Sequence, residues 1–312
     1  MGKYIIRRVF FAFFSLLGVV TCVFLLLRTL PGDPAEMILG EFATPDNLAH
    51  LRAKLGLDKP LLVQFAIFVK DMMQFEFGRS VVTRQPVINE ILWVMPFTVH
   101  LALAATAIST VIGVLSGIFS AKARNSTMDH VSRILSLFGI SMPEFWFGIL
   151  LVQVFSIRFK VFPAIGGGQG DLGSILLHLV LPALALGMSL AALTARMTRS
   201  SMLDVLGQDY IRTALAKGQT QQGALWKHAL RNALIPIVTI IGLNMGRLLG
   251  GAVIIEMVFA RPGLGKLLVD SIFARDYPMV EAVITVIATV FIGVNLIVDL
   301  TYALIDPRIR YE

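Results

Sequence analysis

Six stretches of this sequence are apolar over the length of a membrane helix, and no other feature constrains its fold as strongly. Crossing the hydrocarbon core takes roughly 20 predominantly apolar residues, and a helix is favoured there because it satisfies its own backbone groups without water. Stretches 9–27, 172–195 and 282–298 hold no formal charge, and 95–121 holds none unless His100 is protonated. Glu144 is the one charge in 134–157, and Arg247 the one in 233–255. A soluble core can bury one such helix but hardly six in 312 residues. Composition agrees: 15% of residues are charged and 56% hydrophobic, against about 25% charged in soluble domains. These features exclude a disordered chain. The single cysteine, Cys22, excludes a disulfide framework and a cysteine metal cluster.

Lys3, Arg7 and Arg8 precede the first stretch, as in a signal peptide. Its apolar core exceeds the roughly 7–15 residues of a signal, and Arg28-Thr29-Leu30-Pro31 is no small-residue cleavage site. It is expected to stay as an anchor. Lysine and arginine placement then sets the orientation. With both termini cytoplasmic, the inner segments carry 14 basic residues and the two short outer loops carry 5. The net charge of +7 therefore reflects the membrane lipid surface, with no nucleic acid partner.

The polar segment 31–94 is too long for a loop. Thr44-Pro45-Asp46 reads as a helix N-cap, a first-turn proline and a favourable first-turn acid, with Gly56 as the stop. A second helix is expected after Lys59-Pro60, with Leu62, Phe65, Val69 and Met72 on one face. The segment is either a small helical subdomain outside the membrane or a spacer. Between the fourth and fifth stretches, 202–217 is expected to be one helix stopped at Gly218. Thr220 caps a second helix that Pro236 kinks. Such a pair also resembles a DNA-binding helix-turn-helix, which flanking membrane spans argue against. A hairpin on the inner face suits docking of a cytoplasmic partner.

Asp209-Tyr210-Ile211-Arg212-Thr213-Ala214-Leu215-Ala216-Lys217-Gly218 resembles the coupling loop of binding-protein-dependent ABC permeases. The general signature there is Glu-Ala-Ala, three residues, then Gly. Arg212-Thr213-Ala214 stands in its place, with Gly218 at the glycine, and His228-Ala229-Leu230-Arg231-Asn232 replaces the usual continuation. Both departures resemble the dipeptide, oligopeptide, glutathione and nickel branch. So do Leu30-Pro31-Gly32-Asp33-Pro34, Gly139-Ile140-Ser141-Met142-Pro143, Leu181-Pro182-Ala183-Leu184 and Arg196-Met197-Thr198-Arg199. The run 259–276 and the ending Asp306-Pro307-Arg308-Ile309-Arg310-Tyr311 match as well, so the resemblance covers nearly the whole chain.

The resemblance implies an all-α integral membrane protein with the type I ABC importer permease fold in the cell inner membrane. Its parts would be an N-terminal transmembrane helix (1–30), an extracytoplasmic helical subdomain (31–94), a permease core (95–305) with coupling helices at 202–232, and a cytoplasmic tail (306–312). Implied partners are a second homologous permease, two cytoplasmic ATPase subunits and an extracytoplasmic substrate-binding protein. Asp209, Tyr210, Arg212, Thr213, Ala214, Lys217 and Gly218 would meet the ATPase. The chain holds no Gly-x-x-x-x-Gly-Lys-Ser/Thr loop, so ATP chemistry is expected on another chain. Gly263-Leu264-Gly265-Lys266 matches it only in part and is expected to be an outer turn or gate. No catalytic residue, metal site or cofactor is expected on this chain.

The rival readings are a secondary transporter or channel, which usually shows internal repeats, and an intramembrane enzyme, which would need a His-Glu-x-x-His or Gly-x-Ser-x-Gly motif. None of these features occurs. Glu144 and Arg247 carry the remaining question. At 1.5 Å per residue a straight helix puts Glu144 about 15 Å into its span and Arg247 about 21 Å. They either line the translocation path or form a structural ion pair. Gly242, Gly246 and Gly250, with Gly113 and Gly117, either pack helices closely or line a passage. Peptides, glutathione, nickel chelates, opines and some sugars remain open as cargo.

Overall fold

The computed structural model describes residues 2–29, 34–40, 43–168 and 170–305. The tail 306–312 and residues 30–33 of the Leu30–Pro34 motif lie outside these. The described chain is helical: α1 (Gly2–Thr29), α2 (Pro34–Leu39), α3 (Pro45–Leu55), α4 (Leu61–Met73), α5 (Val87–Lys122), α6 (Thr127–Ser141) and α7 (Glu144–Leu151), the last continued by a π-helical stretch over Val152–Arg158. There follow α8 (Leu172–Leu206), α9 (Asp209–Ala216), α10 (Gln221–Gly223) with a π-helical stretch over Ala224–Ala229, α11 (Leu230–Val258), α12 (Leu264–Phe273) and α13 (Tyr277–Ile305).

Among the described residues four helices, α1, α5, α8 and α13, are long and apolar enough to cross a membrane. The third and fifth expected spans are bent pairs. Helices α6 and α7 meet at 101°, so the single helix expected over 134–157 is wrong. The cause is local. Pro143 disfavours helical backbone at the residue before it, and Met142 is extended at φ −84°, ψ 125°. The fifth span bends by 48° around Pro236, as that proline predicts.

Helices α5 and α8 form the spine. They approach through small residues, since lipid supplies no hydrophobic drive and close packing must hold membrane helices together. A Cβ on Gly113 would lie 2.8 Å from the Ala191 carbonyl oxygen, and one on Gly117 only 2.6 Å from that of Ala195. Gly187 returns the fit, lying against Ile108 and the Ala105 carbonyl. For Gly113 and Gly117, close packing is therefore the correct reading. On α11, Gly246 lies against Phe291 and Asn295 of α13. Where α5, α8 and α11 meet, Ser109 and Thr194 share a 3.2 Å hydrogen bond, and Asn244 donates to Thr194 at 3.4 Å.

In the segment after α1, Thr44 caps α3 by accepting from the Asn47 amide, and Gly56 ends it in the left-handed region at φ 68°. The expected face of α4 is corrected: Leu62 is 83% exposed, and Gln64 is the buried residue. Gln64 accepts from Arg28 Nε at 2.9 Å and donates to the Leu57 and Lys59 carbonyls, while Phe65 and Phe68 pack on Phe24 of α1. Arg28 also reaches Glu281 on α13 at 3.4 Å. These contacts dock α4 on α1, and Arg28 links α1 in turn to α13.

Candidate functional site

At the end of the bundle where α8 finishes, the chain makes an exposed helical hairpin. The helix expected over 202–217 is two pieces: α8 ends at Leu206, Gln208 is extended, and α9 starts at Asp209. The break lets Ile211 turn inward, 2% exposed, into a cluster with Met202, Leu225, Ala229, Ala233 and Ile237. The opposite face of α9 points outward. Arg212 is exposed and pairs at 3.5 Å with the exposed Asp209. Thr213 is exposed and donates to the Asp209 carbonyl, Ala214 is half-buried, and Lys217 is exposed. The Tyr210 hydroxyl accepts from Asn232 at 2.9 Å, tying the two arms together. Gly218 has φ +87° and nothing near its missing Cβ, so backbone conformation rather than crowding calls for glycine. Thr220 caps the second arm by accepting from the Gly223 amide at 3.1 Å, as expected.

Sequence reasoning missed the anchor beneath this hairpin. Asp129, fully buried, is held by both Nε and Nη2 of Arg199 at 2.7 and 2.8 Å. It also accepts from Ser120 at 2.6 Å and from the Asn125 amide at 2.9 Å. Ser126-Thr127-Met128-Asp129 was the available signal, since Ser or Thr followed at three residues by an acid marks a helix start. Ser126 does cap α6.

Glu144 opens α7 at the 101° break, so a depth counted along a straight helix does not apply to it. Its half-buried carboxylate accepts a hydrogen bond from Ser189 and faces a cavity of about 470 Å³ between α5, α6, α7 and α8. Ser116, Ser132 and Ser136 add hydroxyls to an otherwise apolar wall. Arg247 lies on α11 with its side chain outside the described residues, so its relation to Glu144 stays an expectation.

At the other end of α8, the partial phosphate-loop match has its own occupant. Glu256, fully buried, accepts from the Gly265 and Lys266 amides, the latter at 3.0 Å, and from the Thr98 hydroxyl at 2.6 Å. Thr98 in turn accepts from the Leu264 amide at 2.8 Å. A Cβ on Gly263 would fall 2.1 Å from the Glu256 carboxyl carbon. The amides a nucleotide phosphate would need thus hold a carboxylate of the same chain, and the segment joins α11 to α12. Glu256 escaped notice because it follows the fifth apolar stretch by one residue.

Two family models match the chain: "Binding-protein-dependent transport system inner membrane component" over residues 113–311, and the corresponding N-terminal membrane component over residues 1–102. The dipeptide transport system permease protein DppB of Alkalihalophilus pseudofirmus is 40% identical over 333 residues, with all of both chains covered. The glutathione transport system permease protein GsiC of Escherichia coli K12 is 43% identical over 312 residues, again with both fully covered. Among solved structures, an inward-facing MetNI methionine ABC transporter matches with TM-score 0.60 at 16% identity. That match covers 71% of this chain and 99% of that one, a likeness of fold.

Proposed function

The chain belongs to the family of binding-protein-dependent transport system inner membrane components, and from that premise we propose that it forms, with a second homologous permease, the path by which a peptide or similar small solute enters the cell. It is a multi-pass membrane permease of the dipeptide and glutathione branch of ABC importers and not an enzyme, the ATP being hydrolysed by separate subunits. A secondary carrier or channel is not favoured. Dipeptides and glutathione, named for the two relatives, are the proposed cargo class. Both termini are placed in the cytoplasm on the basic-residue distribution, and the permease needs no cofactor of its own.

The observation that carries this reading is the α9 hairpin, anchored by Ile211 and otherwise exposed. A rigid knob on a membrane bundle suits a cleft in a cytoplasmic ATPase, and movement there would pass through α8 and α11 into the spans. We assign the contact to Asp209, Tyr210, Arg212, Thr213, Ala214, Lys217 and Gly218. Gly218→Val is expected to insert normally yet lose coupling, because its φ of +87° costs a non-glycine residue about 1–2 kcal/mol, and a β-branched one at least that. Copurification of the ATPase and substrate-stimulated hydrolysis are the measurements. Unchanged transport would remove the assignment.

Glu144 and Arg247 are proposed to line the path, the first because a carboxylate on the cavity wall suits the amino group of a peptide. Glu144→Gln is expected to leave assembly intact and to lower uptake, with Arg247→Met as its companion. Loss of assembly in both variants would instead identify a structural ion pair, and unimpaired uptake in both would end the idea.

A further inference from the structure

Among the described residues, the half-buried Arg199 and the fully buried Arg261 differ in one respect. Arg199 presents its Nε–Nη2 edge to Asp129, filling it with a carboxylate. Arg261 is fully buried, yet its Nε and Nη2 have no partner among the described residues. Its Nη1 donates a long 3.4 Å bond to the His178 carbonyl, and its guanidinium lies 5.5 Å from the Phe97 ring centre. The charge is balanced at a distance by Glu256, whose oxygens are already engaged by Thr98, Gly265 and Lys266. Two buried donors on a cation with no partner among the described residues are costly unless a ligand takes them. The Nε–Nη2 edge is also a fork that matches a carboxylate.

The Phe97 ring lies by the Arg261 guanidinium, and beside that ring runs the 166–168 glycine segment, where Gly166 is pinned by its amide to the Phe259 carbonyl at 2.8 Å. A Cβ on Gly167 would fall 2.5 Å from the Phe97 ring and 3.1 Å from Pro262, so only bare backbone fits. Gly166 and Gly168 have φ of +99° and +74°, conformations suited to glycine.

We propose that Arg261 is a carboxylate-binding residue at the joint of α11 and α12, taking the carboxylate of a passing solute on its Nε–Nη2 edge when Phe97 and the 166–168 segment move aside. The proposal rests on the importer reading above. It also explains why a buried cation keeps an unfilled fork: the closed joint leaves unsatisfied the donors that an anionic solute satisfies.

The test uses the whole transporter complex in lipid nanodiscs, with Cys22→Ser removing the native thiol and Leu101→Cys adding a reporter. Leu101 is fully buried one turn from Phe97 on the same helix, so its labelling reads an opening beside Phe97. Two maleimides of equal size, one neutral and one bearing a carboxylate, are compared during ATP turnover. The carboxylate reagent should react faster by roughly tenfold or more, as a charge-assisted bond implies. Arg261→Gln should erase that preference, read as the ratio of the two rates, and Arg261→Lys should keep part of it. Survival of the preference in Arg261→Gln, an equal change in both rates, or no labelling by either reagent would each overturn the proposal. ATP hydrolysis by the same samples tests the importer reading separately.

Discussion

Arg199→Met is expected to cost the folded protein about 3–5 kcal/mol, because it strands a buried carboxylate without its countercharge. Asp129 has no exposed surface, and Arg199 supplies two of its four hydrogen bonds and the countercharge beside it. The Ser120 and Asn125 contacts remain, but neutral donors do not replace a guanidinium. The pair also joins α8 to the start of α6 just where the α9 hairpin leaves the bundle, so its loss should loosen the hairpin as well. Thermal unfolding of the solubilised complex reads the effect. Asp129→Leu combined with Arg199→Met is expected to restore most of the lost stability, since a buried pair replaced by apolar groups is often neutral. A double variant no more stable than Arg199→Met alone would show that the pair does not act through burial of its charge.

Gly117→Val should be comparably damaging for a different reason. The missing Cβ would sit 2.6 Å from both the Ala195 carbonyl oxygen and the Thr198 Cβ, so two backbones would have to separate. Overpacking a tight core typically costs about 1–3 kcal/mol, and backbone rather than a flexible side chain is the obstacle here, which puts this site at or above the upper end. The expected result is poor accumulation of folded permease and a lowered melting temperature. Gly18→Ala is the control: nothing lies within 4 Å of its Cβ position, so it should be neutral. A Gly117→Val protein as stable as the control would mean that α5 and α8 slide apart without cost.

Linear pattern was enough for features that depend on neighbours along the chain. Apolar runs of membrane-helix length can be read without coordinates, because the solvent they need is lipid. The Thr44 and Thr220 caps and the stops at Gly56 and Gly218 are local backbone chemistry and stand as expected. The hairpin itself was likewise legible in the sequence, although the break after Leu206 was missed. It exists so that Met202 and Ile211 can reach one cluster, a tertiary demand overriding helix propensity.

What the tertiary structure alone decided are pairings across large sequence distance. Asp129 meets Arg199 seventy residues on, and Thr98 meets Glu256 at a separation of 158. No periodicity reports such contacts, because they depend on which helix faces come together. The same holds for the sharp turn at Pro143: the proline was visible, but its 101° angle, which moves Glu144 off the expected axis and onto a cavity wall, depends on how α6 and α7 pack on α8. By itself the sequence determined that the chain spans a membrane as helices, and placed the local caps at Thr44 and Thr220 and the stops at Gly56 and Gly218. Which buried charges are paired, and which arginine keeps an open fork, followed only from packing, since burial makes a charge costly and only a neighbour in space can satisfy it.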